Sequence, residues 1–508
     1  MASLTKHYTS QKQTGRVYTP TPLVERILDL AGYVAPTLAG KRILDPACGD
    51  GQFLVEVARR IADAVPADRL RAALGCLHGW DLDEAALAAC RARLDAVVAP
   101  FGIRDFDWNV RVRNSLYAFS ADPLFPPAER FDFIVGNPPY VRIQHLSEAD
   151  RQFVRTRFAF CAAGSTDLYI AFFELAFSLL TEAGTVGFIT PNTFFHTSTA
   201  RALRRFLAEK HRLRHVINFG HRQVFPDATT YVAITIASAQ PAAAFVYEDA
   251  AEEVSTTTIV PADALSGQDV WRFGALAAPD EGAAPADDRF RPLREVATIS
   301  VGLATLADPI FIVQAVAATR PDGVQVVATK DGTHVEIERG LLRPIIKGSK
   351  VKVGKPCYTG AYIVFPYETT TGKPALLAEA TLAARYPRGY AYLKARKNEL
   401  DRRDNGRPNA AGWYAFGRSQ ALESGFGEKI ICPPMAPEPT FVVCRDADAT
   451  VYSAYFIKFS GNLDALAAQL NSERMRRYVA SGARDLLGGW KGYTKKTIQD
   501  FPIDVTAL

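Results

Sequence analysis

Between residues 41 and 240, short apolar runs alternate with longer stretches whose apolar residues recur every three to four positions. The pattern predicts strands at 42–45, 74–81, 131–135, 185–189 and 231–237, and helices at 51–64, 84–98, 168–180 and 200–210. Such alternation implies an α/β fold, a parallel sheet wrapped by helices on both faces. Ligands in folds of this kind bind at the carboxyl ends of the strands. Periodicity then fades: residues 274–288 read GALAAPDEGAAPADD, the composition of a linker or surface loop. Beyond about residue 290 the chain is less regular and richer in Gly, Pro and aromatics, with no internal repeat of 20–50 residues. The expected division is a first domain at 1–245, a connecting segment at 246–290 and a second domain at 291–508.

Composition supports more than one domain, because 508 residues exceed the length of an ordinary single one. Hydrophobic residues make up 48% and charged residues 22%, which excludes a disordered chain, a collagen or a coiled-coil rod. The seven cysteines are scattered and form no CxxC pair, so neither a disulfide framework nor a zinc ribbon is expected, and a reducing compartment fits. The opening MASLTKHYTSQKQTGR lacks the apolar core of a signal peptide. The longest apolar stretch, 168–180, is short for a membrane span and is interrupted by Glu174. The expectation is a cytoplasmic protein without a membrane partner.

Net charge is only +5, but it is unevenly placed. Residues 341–430 hold sixteen Lys or Arg against seven Asp or Glu, interleaved with Tyr358, Tyr362, Tyr390, Tyr392, Trp413, Tyr414 and Phe416. A solvated surface is the plain explanation of a basic cluster, whereas basic residues mixed with aromatics also suit nucleic acid.

Two motifs carry candidate chemistry. Gly136-Asn137-Pro138-Pro139-Tyr140 follows the apolar strand 131–135 directly. The prolines fix two φ angles and leave rigid carbonyls at a strand end. An Asn carboxamide oxygen and a Pro carbonyl offer two acceptors to one planar amino group, and Tyr140 offers a ring face to a flat heterocycle. The second motif, Asp45-Pro46-Ala47-Cys48-Gly49-Asp50-Gly51, joins strand to helix through a loop whose glycines let a nucleoside approach the backbone. It is neither GxGxxG nor the phosphate-cradling GxxxxGK[ST]. Asp45 at the strand end suits an amine-bearing ligand. Asp81, 36 residues on at the end of the next strand, stands where a carboxylate grips a ribose diol.

Together these residues resemble the N6-adenine DNA methyltransferases of restriction–modification systems. The order of motifs is that of the gamma-class, TaqI-like enzymes: Thr14-Gly-Arg-Val-Tyr-Thr-Pro20, then DPACGDG, then NPPY. The resemblance continues through Thr166-Asp-Leu-Tyr-Ile-Ala-Phe172, Val186-Gly-Phe-Ile-Thr-Pro191 and Val224-Phe-Pro226, and resumes at 467–475 and 492–502. It implies a Rossmann-like S-adenosylmethionine-dependent methyltransferase domain, followed by a C-terminal α+β target-recognition domain that binds double-stranded DNA.

By the same resemblance, Thr19, Asp45, Ala47, Cys48, Gly49, Asp81, Leu82, Asn114 and Ser115 hold S-adenosylmethionine, and Phe172 packs against its adenine. Asn114 stands where the family more often has an acid, although an amide oxygen accepts from the same donor. Asn137, Pro138, Pro139 and Tyr140 carry catalysis. The family's second aromatic clamp on the target base falls here on Thr199-Ala200-Arg201, which leaves Phe194, Phe195 or His196 as substitutes. Lys347, Lys350, Lys352, Arg402, Arg403 and Lys491 are the expected DNA contacts.

Related readings differ in their targets. N4-cytosine methyltransferases usually carry Ser where Asn137 stands, and protein-glutamine methyltransferases with NPPY are shorter. A DNA-specificity subunit without catalysis would not need intact DPACGDG and NPPY. A fused nuclease is not expected, because the first motif begins by Gly15 and no PD…(D/E)xK set follows. A separately encoded endonuclease and a monomeric enzyme, methylating one strand at a time, complete the expectation.

Overall fold

The structure, a computed structural model, describes residues 18–35, 38, 40–119, 129–164, 166–225, 230–273, 289–355, 357, 360–370, 373–482, 485–486 and 490–508. The start of the first motif, 14–17, the linker sequence 274–288, Pro226 and Tyr358 lie outside them. The chain forms two compact units, 1–277 and 278–508.

The first unit is built on a nine-stranded sheet. Its strands are β1 (Ile43–Asp45), β2 (Leu77–Asp81), β3 (Asn109–Val112), β4 (Phe131–Gly136), β5 (Leu180–Pro191), β6 (Leu213–Asn218), β7 (Val232–Ser238), β8 (Ala244–Asp249) and β9 (Thr256–Pro261), in the spatial order β3-β2-β1-β4-β5-β7-β6-β8-β9. The five strands from β3 to β5 pair in parallel, while β7 runs antiparallel to both β5 and β6. The expected parallel sheet is therefore mixed at one side.

Alternate strand residues feed two cores. Ile43, Phe133, Val135 and Ile234 pack with α1 (Thr21–Ala31), α2 (Gln52–Ala64), α3 (Ala67–Leu74) and α4 (Glu84–Val98). Leu44, Ile134, Val186 and Phe188 pack on the opposite face with α6 (Leu168–Leu179) and α7 (Arg201–Glu209), and α5 (Glu148–Arg157) contributes Val154 there. This two-sided burial is why the strands read as continuous apolar runs.

The expected boundary at 245 is too early. β8 pairs in parallel with β6 and β9 with β8, so the sheet runs to Pro261 inside what read as a connecting segment. β9 is an edge strand whose three threonines, Thr256 to Thr258, face largely outward, and such a strand has no apolar alternation to betray it.

The second unit, taken by itself, has two main sheets. One has six strands, ordered 334–338, 324–328, 312–315, 361–364, 342–347 and 450–452. The other has four, ordered 298–301, 455–458, 429–432 and 442–444, with helices Leu463–Leu470 and Glu473–Gly482 beside it. No helix among the described residues is long and apolar enough to cross a membrane.

Candidate functional site

The strand order reverses at β1 and β4: from β1 the chain proceeds outward to β2 and β3, from β4 to β5 on the other side. A crevice opens at the carboxyl ends of strands where the order reverses in this way. Asp45 ends β1 and Gly136 ends β4, so both motifs meet there. Gly136 has φ +154°, and a Cβ on it would lie 2.6 Å from Asp45 Oδ1. Only glycine lets the two strand ends come this close.

The loop after β1 is tied to the end of β2. Cys48 N donates to the Trp80 carbonyl at 3.0 Å, and Gly49 N, at φ +54°, donates to Asp81 Oδ2 at 2.9 Å. Asp81 Oδ1 accepts from Asp83 N at 2.9 Å, and Asp83 in turn caps α4 by accepting from Ala85 N and Ala86 N.

Over these ends lies a cavity of about 680 Å³, the size of a small-molecule site. Thr19, Asp45, Ala47, Cys48, Gly49, Asp81, Leu82, Asn114, Ser115 and Phe172 all line it, with Asn137 and Pro139. Asp45 is buried and accepts from Ala47 N at 3.0 Å. Burial pushes its carboxyl up to about 8, the Ala47 N–H opposes this, and the nearby Asp81 charge adds to it. A cation placed beside it would favour its ionised form and pair with it. Beyond it stand Asp81, then the apolar Leu82, Leu116, Leu168 and Phe172. Carboxylate, second carboxylate and apolar slot fit the ammonium, ribose diol and purine of S-adenosylmethionine in turn.

Asn137 Nδ2 donates to Thr19 Oγ1 at 3.2 Å, across 118 positions of sequence. That bond turns the amide oxygen to the opposite side. Pro138 is buried and Pro139 reaches the cavity. Tyr140 is half-buried, its hydroxyl donating to the Ile189 carbonyl at 3.1 Å and its ring edge-on to Tyr169 at 6.3 Å. Burial holds its phenol well above the usual range.

Two expectations are corrected. Phe194 and Phe195 are fully buried and pack on Trp271, with Phe194 also against Phe173 and Phe195 against Phe273. They are core residues and present no face to a base. Arg403 spends its guanidinium on backbone carbonyls: Leu400 at 2.8 Å, Ala415 at 2.8 Å, Trp413 at 2.7 Å and Thr305 at 3.3 Å. It is an internal clamp rather than a phosphate contact. Asn114 Oδ1 accepts from Leu116 N at 3.2 Å, capping a 3-10 turn, so one of its two lone pairs is already engaged.

Lys347, Lys350, Lys352 and Arg402 are exposed, and Lys491 is half-buried on a short strand. The sequence reading missed Asp50, Gln52, His145 and Asp150, which also line the cavity. Tyr18, beside Thr19 in the first motif, lies there too.

The fold and the cavity are those that the resemblance to S-adenosylmethionine-dependent methyltransferases implies. Residues 102–225 match the family of the Eco57I restriction-modification methylase. The type II methyltransferase M.BstVI of Geobacillus stearothermophilus is 25% identical, the match covering 96% of this chain and 88% of the relative. M.PaeR7I of Pseudomonas aeruginosa, also a type II methyltransferase, is 26% identical over 94% of this chain and 83% of its own. Among solved structures, the type IIL restriction-modification enzyme MmeI in complex with DNA shares the fold, with TM-score 0.59 at 12% identity, covering 98% of this chain and 65% of that one. The resemblance read from the order of motifs is borne out by these matches.

Proposed function

We propose that the protein methylates the N6 amino group of adenine in double-stranded DNA, as the modification enzyme of a type II restriction–modification system whose endonuclease is encoded separately. The observation that carries this reading is the placement of Asn137 and Pro138 at the β1–β4 crevice, beside the cavity, with the Asn137 amide fixed by Thr19. S-adenosylmethionine supplies an electrophilic methyl group on a sulfonium.

The residues of this chain deal with the amine. Its lone pair is delocalised into the base, which makes it a poor nucleophile. The Asn137 Oδ1 and Pro138 carbonyl accept its two hydrogens and draw the nitrogen toward a tetrahedral geometry. Positive charge then grows on that nitrogen, so two fixed acceptors favour the transition state over the ground state. No strong base is required beforehand.

A base inside a duplex cannot reach the crevice and must be flipped out, at a cost of a few kcal/mol. Stacking on Tyr140 returns roughly 1–3 kcal/mol. The remainder comes from DNA contacts of the second unit, where Lys347, Lys350, Lys352 and Arg402 offer exposed charge. The test is to incubate purified protein with methyl-labelled S-adenosylmethionine and duplex DNA from a non-methylating host, then to analyse the nucleosides by mass spectrometry. Labelled N6-methyladenine is expected. N4-methylcytosine would move the target to cytosine, and label on protein alone would overturn the reading.

A further inference from the structure

The cavity follows the carboxyl edge of the sheet from the β1–β4 crevice past the end of β2 to the end of β3. A nucleoside whose ribose lies at Asp81 therefore lays its base at the β3 end, where Leu116, Leu168 and Phe172 share one apolar cluster. An adenine there brings an exocyclic amine that needs an acceptor, since an unpaired buried donor is costly. Asn114 meets it only in part: its neutral oxygen already caps the turn at Leu116 N, and its Nδ2, a donor, points at Asp150 Oδ1 at 3.4 Å.

Asp150 lines the same cavity from the first turn of α5. Its carboxylate is held in place from two elements. Oδ1 accepts from the Tyr117 hydroxyl at 3.0 Å, and Oδ2 accepts from Ser147 Oγ at 2.6 Å. Tyr117 is itself braced by ring contact with Phe153 at 4.4 Å. A carboxylate offers about four acceptor positions, so these contacts and the long one from Asn114 leave room for another donor.

We propose that Asp150 accepts the exocyclic amino group of the cofactor's adenine, taking the part of the acid that the Asn114 position lacks. The inference rests on the reading of the cavity as the S-adenosylmethionine site. It makes α5, which begins ten residues after Pro138, beyond the 3-10 turn Ile143–His145, part of the cofactor site.

The test uses the full chain and two probes, S-adenosylhomocysteine and its analogue with hydrogen in place of the 6-amino group, with Kd measured by calorimetry. Wild type should prefer the amino compound by about tenfold or more, as expected for a charge-assisted hydrogen bond. Asp150→Ala should cut that preference to about twofold while leaving the affinity for the deamino analogue unchanged. Asp150→Asn, which keeps an acceptor, should retain part of it. Equal weakening of both probes by Asp150→Ala would reduce Asp150 to a helix-positioning role, and an unchanged preference would remove it from the site; either overturns the proposal. Failure of wild type to bind either probe would instead overturn the cofactor reading beneath it.

Discussion

The crevice of the first unit and the basic surface of the second deploy polar side chains in opposite ways. In the crevice the polar side chains are tethered: Asp81 by Gly49 N and Asp83 N, Asn137 by Thr19, Tyr140 by the Ile189 carbonyl. On the basic surface the backbone is fixed and the charges are not. Gly348 sits so close to the 453–454 turn that a Cβ on it would lie 2.8 Å from Ala454 Cβ, yet Lys347, Lys350 and Lys352 around it are exposed. Groups that stabilise a developing charge must stand in position before the substrate arrives. Groups that neutralise a polyanion need charge and reach, and long lysines supply both.

The contrast breaks most sharply at Asn137. Asn137→Ala should lower the single-turnover methylation rate by 10²–10³, about 3–4 kcal/mol, with DNA affinity nearly unchanged. Asn137→Asp should be milder, because a carboxylate keeps an acceptor. A rate within fivefold of wild type for the alanine variant would mean that the amide is not the group the amine meets.

Asp45 offers a pH test of the tethered region. Its folded-state value of about 8 lies above the ordinary 3.8, so the folded protein holds that proton more tightly than the unfolded chain does. Its contribution to stability is full below about pH 4 and is lost as pH rises through about 8. Without cofactor, Asp45→Asn should gain stability over wild type progressively from pH 5 to 8, by on the order of a few kcal/mol, read by urea unfolding. The same substitution should weaken cofactor binding. A stability gap that narrows over that range would contradict the assignment.

Two adjacent arginines sharpen the comparison within the second unit. Arg403→Ala should destabilise it by about 1–3 kcal/mol, since buried carbonyls lose their donors, while Arg402→Ala should leave the melting temperature unchanged. Thermal unfolding of the two variants checks this directly. The smallest effect is expected from replacing Lys347, Lys350 and Lys352 with glutamine. The slope of log affinity against log salt should fall by roughly one per phosphate contact removed, with the rate at saturating DNA within twofold of wild type.

Sequence reached the parts of this arrangement that are local. A strand followed by NPPY, and a strand followed by DPACGDG, each declare their own chemistry, and the alternating pattern placed both at strand ends. What it missed depends on contacts distant in the chain. Thr19 reaches Asn137 only because α1 and β4 come together in the fold, and Asp150 enters the cavity from a helix with no motif of its own. Phe194 and Phe195 look alike in sequence whether they clamp a base or fill a core. Burial by Trp271, 76 residues beyond Phe195, decides it. Arg403 reads as one more cation in a basic run until its four carbonyl partners are seen.

In the proposed function, the Asn137–Pro138 end of the crevice methylates an adenine amine in DNA. Methylome sequencing of a host carrying the wild-type gene or Asn137→Ala tests it most directly. With wild type, N6-methyladenine is expected at essentially every copy of one short sequence motif; with the variant it is expected to be absent. Unmodified host DNA with wild type, or a methylated motif that persists with Asn137→Ala, would contradict it.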